Sequence, residues 1–197
     1  EELETNAQIH ILENLPVNKA ADVLEKMPAD EVADILDELE DEKAELLLKE
    51  MDMESSQEVR ELLEYDDNLV GSLMTTDYLS FSANKRVEEV LDELRSKKPE
   101  AAELYSLFVI EENDELTGTF NLRDLVVAEP NLMISEIMKS EPVYLFDDQN
   151  TRAIAEIVSK YNLLAVPVVD RNHLLQGMVV VDDVVEDLIN KRRTKKR

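Results

Sequence analysis

From Leu15 to Leu62 the apolar positions return every twelve residues, in the strings LPVNKAADVLEK, MPADEVADILDE, LEDEKAELLLKE and MDMESSQEVREL. One apolar column runs Leu15, Met27, Leu39 and Met51, and a second runs Val23, Ile35, Leu47 and Val59. A third, Leu24, Leu36 and Leu48, stops at Arg60. Ala20, Ala21, Val23 and Leu24 have the i, i+3, i+4 spacing of one helical face. Pro16 and Pro28 share a phase at which proline can open a helix, because the first turn's N–H groups lack partners anyway. Each unit therefore predicts a helix of two to three turns followed by a tight corner. Short amphipathic helices cannot bury their stripes alone, so residues 1–65 are expected to stack as a superhelical array.

From about residue 66 short β-branched runs alternate with helical ones. The first half runs from Leu73-Met74-Thr75 through a helix near 86–96 and strands Leu107–Ile110 and Leu116–Phe120 to a helix from Asn121. The second runs from Ile137-Met138 through strand Val143–Phe146, a helix near 149–161 and strands Ala165–Val169 and Gly177–Val181 to a helix from Asp182. Met74 and Met138 are 64 residues apart, while Gly118 and Gly177, like Asp124 and Asp183, are 59 apart. This reads as an internal duplication over 66–130 and 131–190, with the extra length near Ser96–Glu103. The expected fold class is multi-domain, α followed by α/β.

Charge changes the picture more than composition does. The 197 residues are 44% apolar, enough for real cores, and hold 46 Asp+Glu against 21 Lys+Arg, a net charge of −25. Residues 1–65 carry a net of −16, and the tail Lys191–Arg197 carries six bases and no acid. An acidic surface of this density repels nucleic acid and attracts cations, so no nucleic-acid partner is expected. Asp30 and Asp34 share a helix face, as do Asp34 and Glu38, and like charges at that spacing repel. Such a face is either simply solvated or a place where a divalent cation takes carboxylate oxygens.

Absence of cysteine removes disulfides, thiolate metal sites and thiol catalysis. Glycine occurs only at 71, 118 and 177, so there is no Gly-rich phosphate loop. His10 and His173 read as surface residues, and the seven methionines read as core filler. Tyr105 and Phe108 suit either strand core or stacking on an adenine. No catalysis is predicted. No apolar run approaches the roughly 18–20 residues of a membrane helix. With no signal-peptide pattern either, a cytoplasmic protein is expected, one that could still lie at the cytoplasmic face of a membrane.

The strings LMT (73–75), IMK (137–139), LTGTFNLRDL (116–125), AVPVVD (165–170) and LQGMVVVDDV (175–184) resemble a tandem CBS pair. In that family the aspartate of a Gly-x-hydrophobic-Ser/Thr-x-x-Asp motif meets a nucleotide ribose. Asp124 and Asp183 match it, whereas Asn121 and Val180 stand at the Ser/Thr position. The resemblance implies an adenine nucleotide such as ATP at Asn121, Arg123 and Asp124, and a second site that is poorly equipped.

The acidic repeat, the junction EYDDNLVGSLMT (64–75) and NLRDLVVAEP (121–130) together resemble the cytosolic region of MgtE-type magnesium transporters. That resemblance implies a magnesium sensor in which Asp30 and Asp34 of the helical domain approach Asp183 across a bound ion. Asn150, Arg152 and Asn162 stand where the family has carboxylates. It also implies a homodimer through the CBS domains and a membrane transport domain as partner. The alternative is a soluble CBS adaptor, binding a nucleotide or a protein, in which metal control is reduced.

Overall fold

The computed structural model describes residues 5–185, so the basic segment Lys191–Arg197 lies outside them. The chain divides into two compact units between Asp67 and Asn68. The first holds helices α1 (Thr5–Asn14), α2 (Val17–Leu24), α3 (Ala29–Asp37), α4 (Asp41–Glu50) and α5 (Met53–Leu63). The starts of α2 to α5, at residues 17, 29, 41 and 53, repeat the sequence period. α3 packs on α1, α4 and α5, and α2 packs on α4, so each helix meets the helix two places along. Leu24, Ile35, Leu36, Leu47, Leu48 and Val59 are buried between them.

Three local findings refine this part of the reading. Pro16 and Pro28 stand just outside their helices as extended N-cap residues, with ψ of 141° each. The Pro16 carbonyl accepts from the N–H groups of Lys19 and Ala20 at 2.9 and 3.0 Å, so the proline makes the corner itself. Val23 is 44% exposed, although Ile35, Leu47 and Val59 of its column are buried. Those three helices each pack on the helix two places earlier, a contact that α2 lacks among the described residues. Arg60 ends the third column because its guanidinium forks onto the Glu45 carboxylate of α4 at 2.8 and 3.0 Å.

The second unit begins with a 3₁₀ turn, Val70–Leu73, and holds two three-stranded sheets. The first half comprises β1 (Ser80–Ser82), α6 (Val87–Lys97), β2 (Leu107–Ile110), β3 (Leu116–Phe120) and α7 (Leu122–Val127). The second follows through α8 (Ile134–Ile137), β4 (Leu145–Phe146), α9 (Arg152–Tyr161), β5 (Ala165–Val169) and β6 (Leu175–Val180), with a helical turn over 181–185. In each sheet the first strand is parallel to the second, and the second is antiparallel to the third. The halves are joined at their hairpin tips. Asp114 and His173 both adopt left-handed backbone, and each carbonyl accepts from the other hairpin, from Leu175 at 2.9 Å and Leu116 at 3.0 Å.

Strand β1 is absent from the sequence reading because only Phe81 of Ser-Phe-Ser is buried, too little for a periodic signal. Strand β4 is shorter than the expected Val143–Phe146. Its register places Tyr144 beside Pro167, which has no N–H to offer a ladder. Strand β6 begins two residues earlier than expected, at Leu175. One core lies around Phe81, Val87, Val90, Leu107 and Leu125 of the first half and takes in Ile134 of α8. A second core is built by both halves, from Phe108 and Leu116 against Ala165, Val169, Met178 and Val180. Phe108 is wholly buried there, edge-on to Tyr78, which removes it as a surface for an adenine. Met51, Met74 and Met178 are core residues, whereas Met53, at the corner opening α5, is 85% exposed.

Candidate functional site

Residues 116–125 form a strand, a sharp turn and a helix, and the candidate nucleotide residues lie on the turn. Asn121 caps α7, its Oδ1 accepting from the Asp124 N–H at 3.0 Å. The Asp124 carboxylate accepts in return from the Asn121 N–H at 3.1 Å. This reciprocal box satisfies two N–H groups that would otherwise lack partners at the helix start. Asparagine suits this position because its amide oxygen caps a helix as well as a hydroxyl does. Asn121 and Asp124 are half-buried, and Arg123 between them is exposed. The turn presents a carboxylate, an amide and a guanidinium within four residues, a set suited to ribose hydroxyls and phosphate.

The segment beside this turn comes from the other half's leader, which sequence reasoning did not identify. Lys139 pairs with Thr119 through two backbone hydrogen bonds of 2.8 and 3.1 Å. Thr75 pairs likewise with Met178, at 2.8 and 2.9 Å. The leader of each half therefore extends the third strand of the opposite half. Close approach favours glycine at both crossings, most stringently at Gly177, where the neighbour is backbone. A Cβ on Gly177 would lie 2.5 Å from the Thr75 carbonyl oxygen, and one on Gly118 would lie 2.7 Å from the Met138 sulfur. The signal was present in the equal phase of LMT and IMK, but spacing cannot say which sheet a leader joins.

The second turn is different. Val180 ends β6 fully buried and offers no cap, while Asp183 lies exposed on the following helical turn. Two other departures from the expected acids have local roles. Asn150 Oδ1 accepts from the Arg152 N–H at 3.2 Å as α9 begins. Asn162 ends that helix in left-handed backbone, a position that asparagine tolerates well.

Asp30 and Asp34 lie one turn apart on α3 in the first unit, Asp30 half-buried and Asp34 exposed. Asp30 and Glu31 occupy the first turn, where the helix dipole favours negative charge and offsets part of their mutual repulsion. The donor set is all oxygen, which suits a hard divalent cation. Among the described residues no three His, Cys, Asp or Glu side chains converge into a metal-sized group. Asp183 belongs to the second unit. Also among the described residues, no helix is long and apolar enough to cross a membrane.

Comparisons with known proteins agree with this architecture. A family model described as the MgtE intracellular N domain matches residues 1–68, and the CBS domain model matches 70–131 and 134–190. The magnesium transporter MgtE of Thermus thermophilus is 38% identical over 131 residues, which is 66% of this chain and 29% of that protein. A crystal structure of the soluble part of a magnesium transporter superposes with a TM-score of 0.90 at 28% identity, covering 96% of this chain and 74% of that one. The cytosolic domain of the Mg2+ channel MgtE in complex with ATP gives a TM-score of 0.67 at 30% identity, covering 93% and 85%. The chain spans less than a third of the length of the curated transporters it matches.

Proposed function

Because the chain belongs to the family that joins an MgtE intracellular N domain to a tandem CBS pair, we propose that it is the cytosolic magnesium-sensing region of a magnesium transporter. The observation that carries this reading is the joint match of acidic helical unit and CBS pair to the soluble part of such a transporter, over 96% of the chain. In this reading Asp30 and Asp34 supply carboxylate oxygens from one unit and Asp183 from the other. Two acidic surfaces repel in the absence of cations, and a shared divalent ion reverses the sign. Magnesium then shifts the population toward a compact arrangement, and a membrane transport domain reads that shift. The role is regulatory and requires no catalytic group.

Calorimetric titration of magnesium into the full chain tests the ligand assignment. Asp30→Asn combined with Asp183→Asn is expected to weaken binding at least tenfold at matched ionic strength. Unchanged affinity would remove these residues from the site.

The ATP complex of a relative supports a second element of the proposal, a nucleotide at the Asn121–Asp124 turn. Arg123→Ala is expected to weaken ATP binding while leaving the capping box in place, and unaltered binding would place the nucleotide elsewhere. A homodimer through the CBS halves is supported by Val126 and Val127 on α7, 69% and 73% exposed beside the exposed Leu122. Light scattering should give twice the chain mass, and Val126→Asp with Val127→Asp should halve it.

A further inference from the structure

The duplication allows the same place to be compared in the two halves, and at one place they differ in kind. At the carboxyl ends of β4 and β5, the guanidinium of Arg171 lies over the Phe146 ring, 4.3 Å from its centroid. It also forks onto the Asp148 carboxylate at 2.8 and 2.7 Å. The rings of Tyr144 and His173 pack against Phe146, with centroids 5.4 and 5.7 Å away. The second half thus fills this place with its own arginine.

In the first half the equivalents of Tyr144, Phe146 and Asp148 are Ser80, Ser82 and Asn84, and those of Arg171 and His173 are Glu112 and Asp114. The arginine and the large rings are gone together, and an open groove lies at the ends of β1 and β2, lined by those five residues among others. Phe81 contributes to its floor, and Glu111 adds a third carboxylate to its rim. Lys85 on its wall is already paired with Glu93. Among the described residues none of the three rim carboxylates is ion-paired.

We propose that this groove is an interaction surface that receives an arginine side chain from a peptide segment of a partner protein. The filled half mounts its arginine at the place where the first half mounts Glu112, so a guanidinium in the first half comes from outside and meets carboxylates of the hairpin instead of a ring and Asp148. Serine hydroxyls and the Asn84 amide oxygen replace ring face and carboxylate as near contacts, and the rim supplies the opposing charge. Arginine fits better than lysine because its planar fork can meet several acceptors at once. The inference is independent of the magnesium reading, since none of its residues is a proposed metal or nucleotide ligand.

The test is a titration of the full chain, followed by amide NMR, with the capped peptide Gly-Ser-Arg-Ser-Gly and with its citrulline counterpart. Citrulline keeps the shape and removes the charge. Shifts are expected at Ser82, Asn84 and Glu112, with at least a tenfold weaker response to citrulline. Rebuilding the filled half with Ser82→Phe, Asn84→Asp and Glu112→Arg should abolish the response. Glu112→Gln alone should weaken it severalfold and covers the case in which the triple variant fails to fold. Glu38→Gln with Glu40→Gln, an equal loss of charge in the helical unit, should leave it unchanged. Equal response to both peptides, shifts confined to other surfaces, or full binding by the Glu112→Gln variant would overturn the proposal.

Discussion

The two CBS halves share one framework and differ in what they mount on it. Both have the same strand order, the same left-handed hairpin tip and the same leader crossing to the opposite sheet. The first half carries a complete capping box at Asn121 and Asp124 and an open groove at its strand ends. The second has a buried valine where the cap would be, and an arginine stacked over a ring where the groove would be. Framework positions are held by backbone hydrogen bonds and close packing, which constrain both copies alike. Exposed positions face only water or ligand, so the copies are free to diverge there, and divergence marks where function is to be sought.

The largest effect is expected in the core that the two halves share. Phe108 is fully buried between the halves, so Phe108→Ala should cost about 3–5 kcal/mol and lower the melting temperature of the whole pair. A melt in which only the first half loosens would mean that the halves fold separately. The glycine crossings come next and should respond unequally. At Gly177 the nearest atom to an added Cβ is a backbone oxygen, whereas at Gly118 it is the end of a flexible methionine. Gly177→Ala should cost about 1–3 kcal/mol. Gly118→Ala should cost less, as read by denaturant unfolding, and the reverse order would contradict the packing described.

Smaller effects sharpen the difference between the turns. Asn121→Ala removes the α7 cap and should cost about 1 kcal/mol, with Asn121→Ser restoring most of it. A circular-dichroism melt distinguishes the two variants. The smallest effect is a pH dependence at the second hairpin. Partial burial pushes the Asp170 carboxyl up, but hydrogen bonds from Leu174 and Asn172, with His173 nearby, outweigh it and hold it below the usual aspartate range. A carboxyl whose folded value is depressed stabilises the fold above its unfolded pKa, and that contribution fades as pH falls through the folded value. Asp170→Asn should therefore flatten the acid end of the stability profile and leave the neutral region's slope unchanged.

Much of this was legible in the chain. The twelve-residue columns give the helical array because burial of one face per helix dictates the period, and the offsets of 64 and 59 residues give the duplication. Asn121 and Asp124 were readable as a motif, but their mutual hydrogen bonds show that the motif also caps a helix. Strand β1 escaped because one buried phenylalanine makes no pattern. The exchange of leaders escaped because pairing partners far apart in sequence leave no local trace. Val23 was misplaced since its column says which face is apolar and not whether a neighbouring helix exists to cover it.

Small-angle X-ray scattering of the full chain reads whether magnesium draws the two acidic units together, as proposed. Profiles would be compared in magnesium chloride and in chelator, with ionic strength matched by sodium chloride. A smaller radius of gyration is expected with magnesium, and it should be lost when Asp30 and Asp183 are both changed to alanine. An identical radius in both solutions, or a contraction that survives the double substitution, would contradict the proposal.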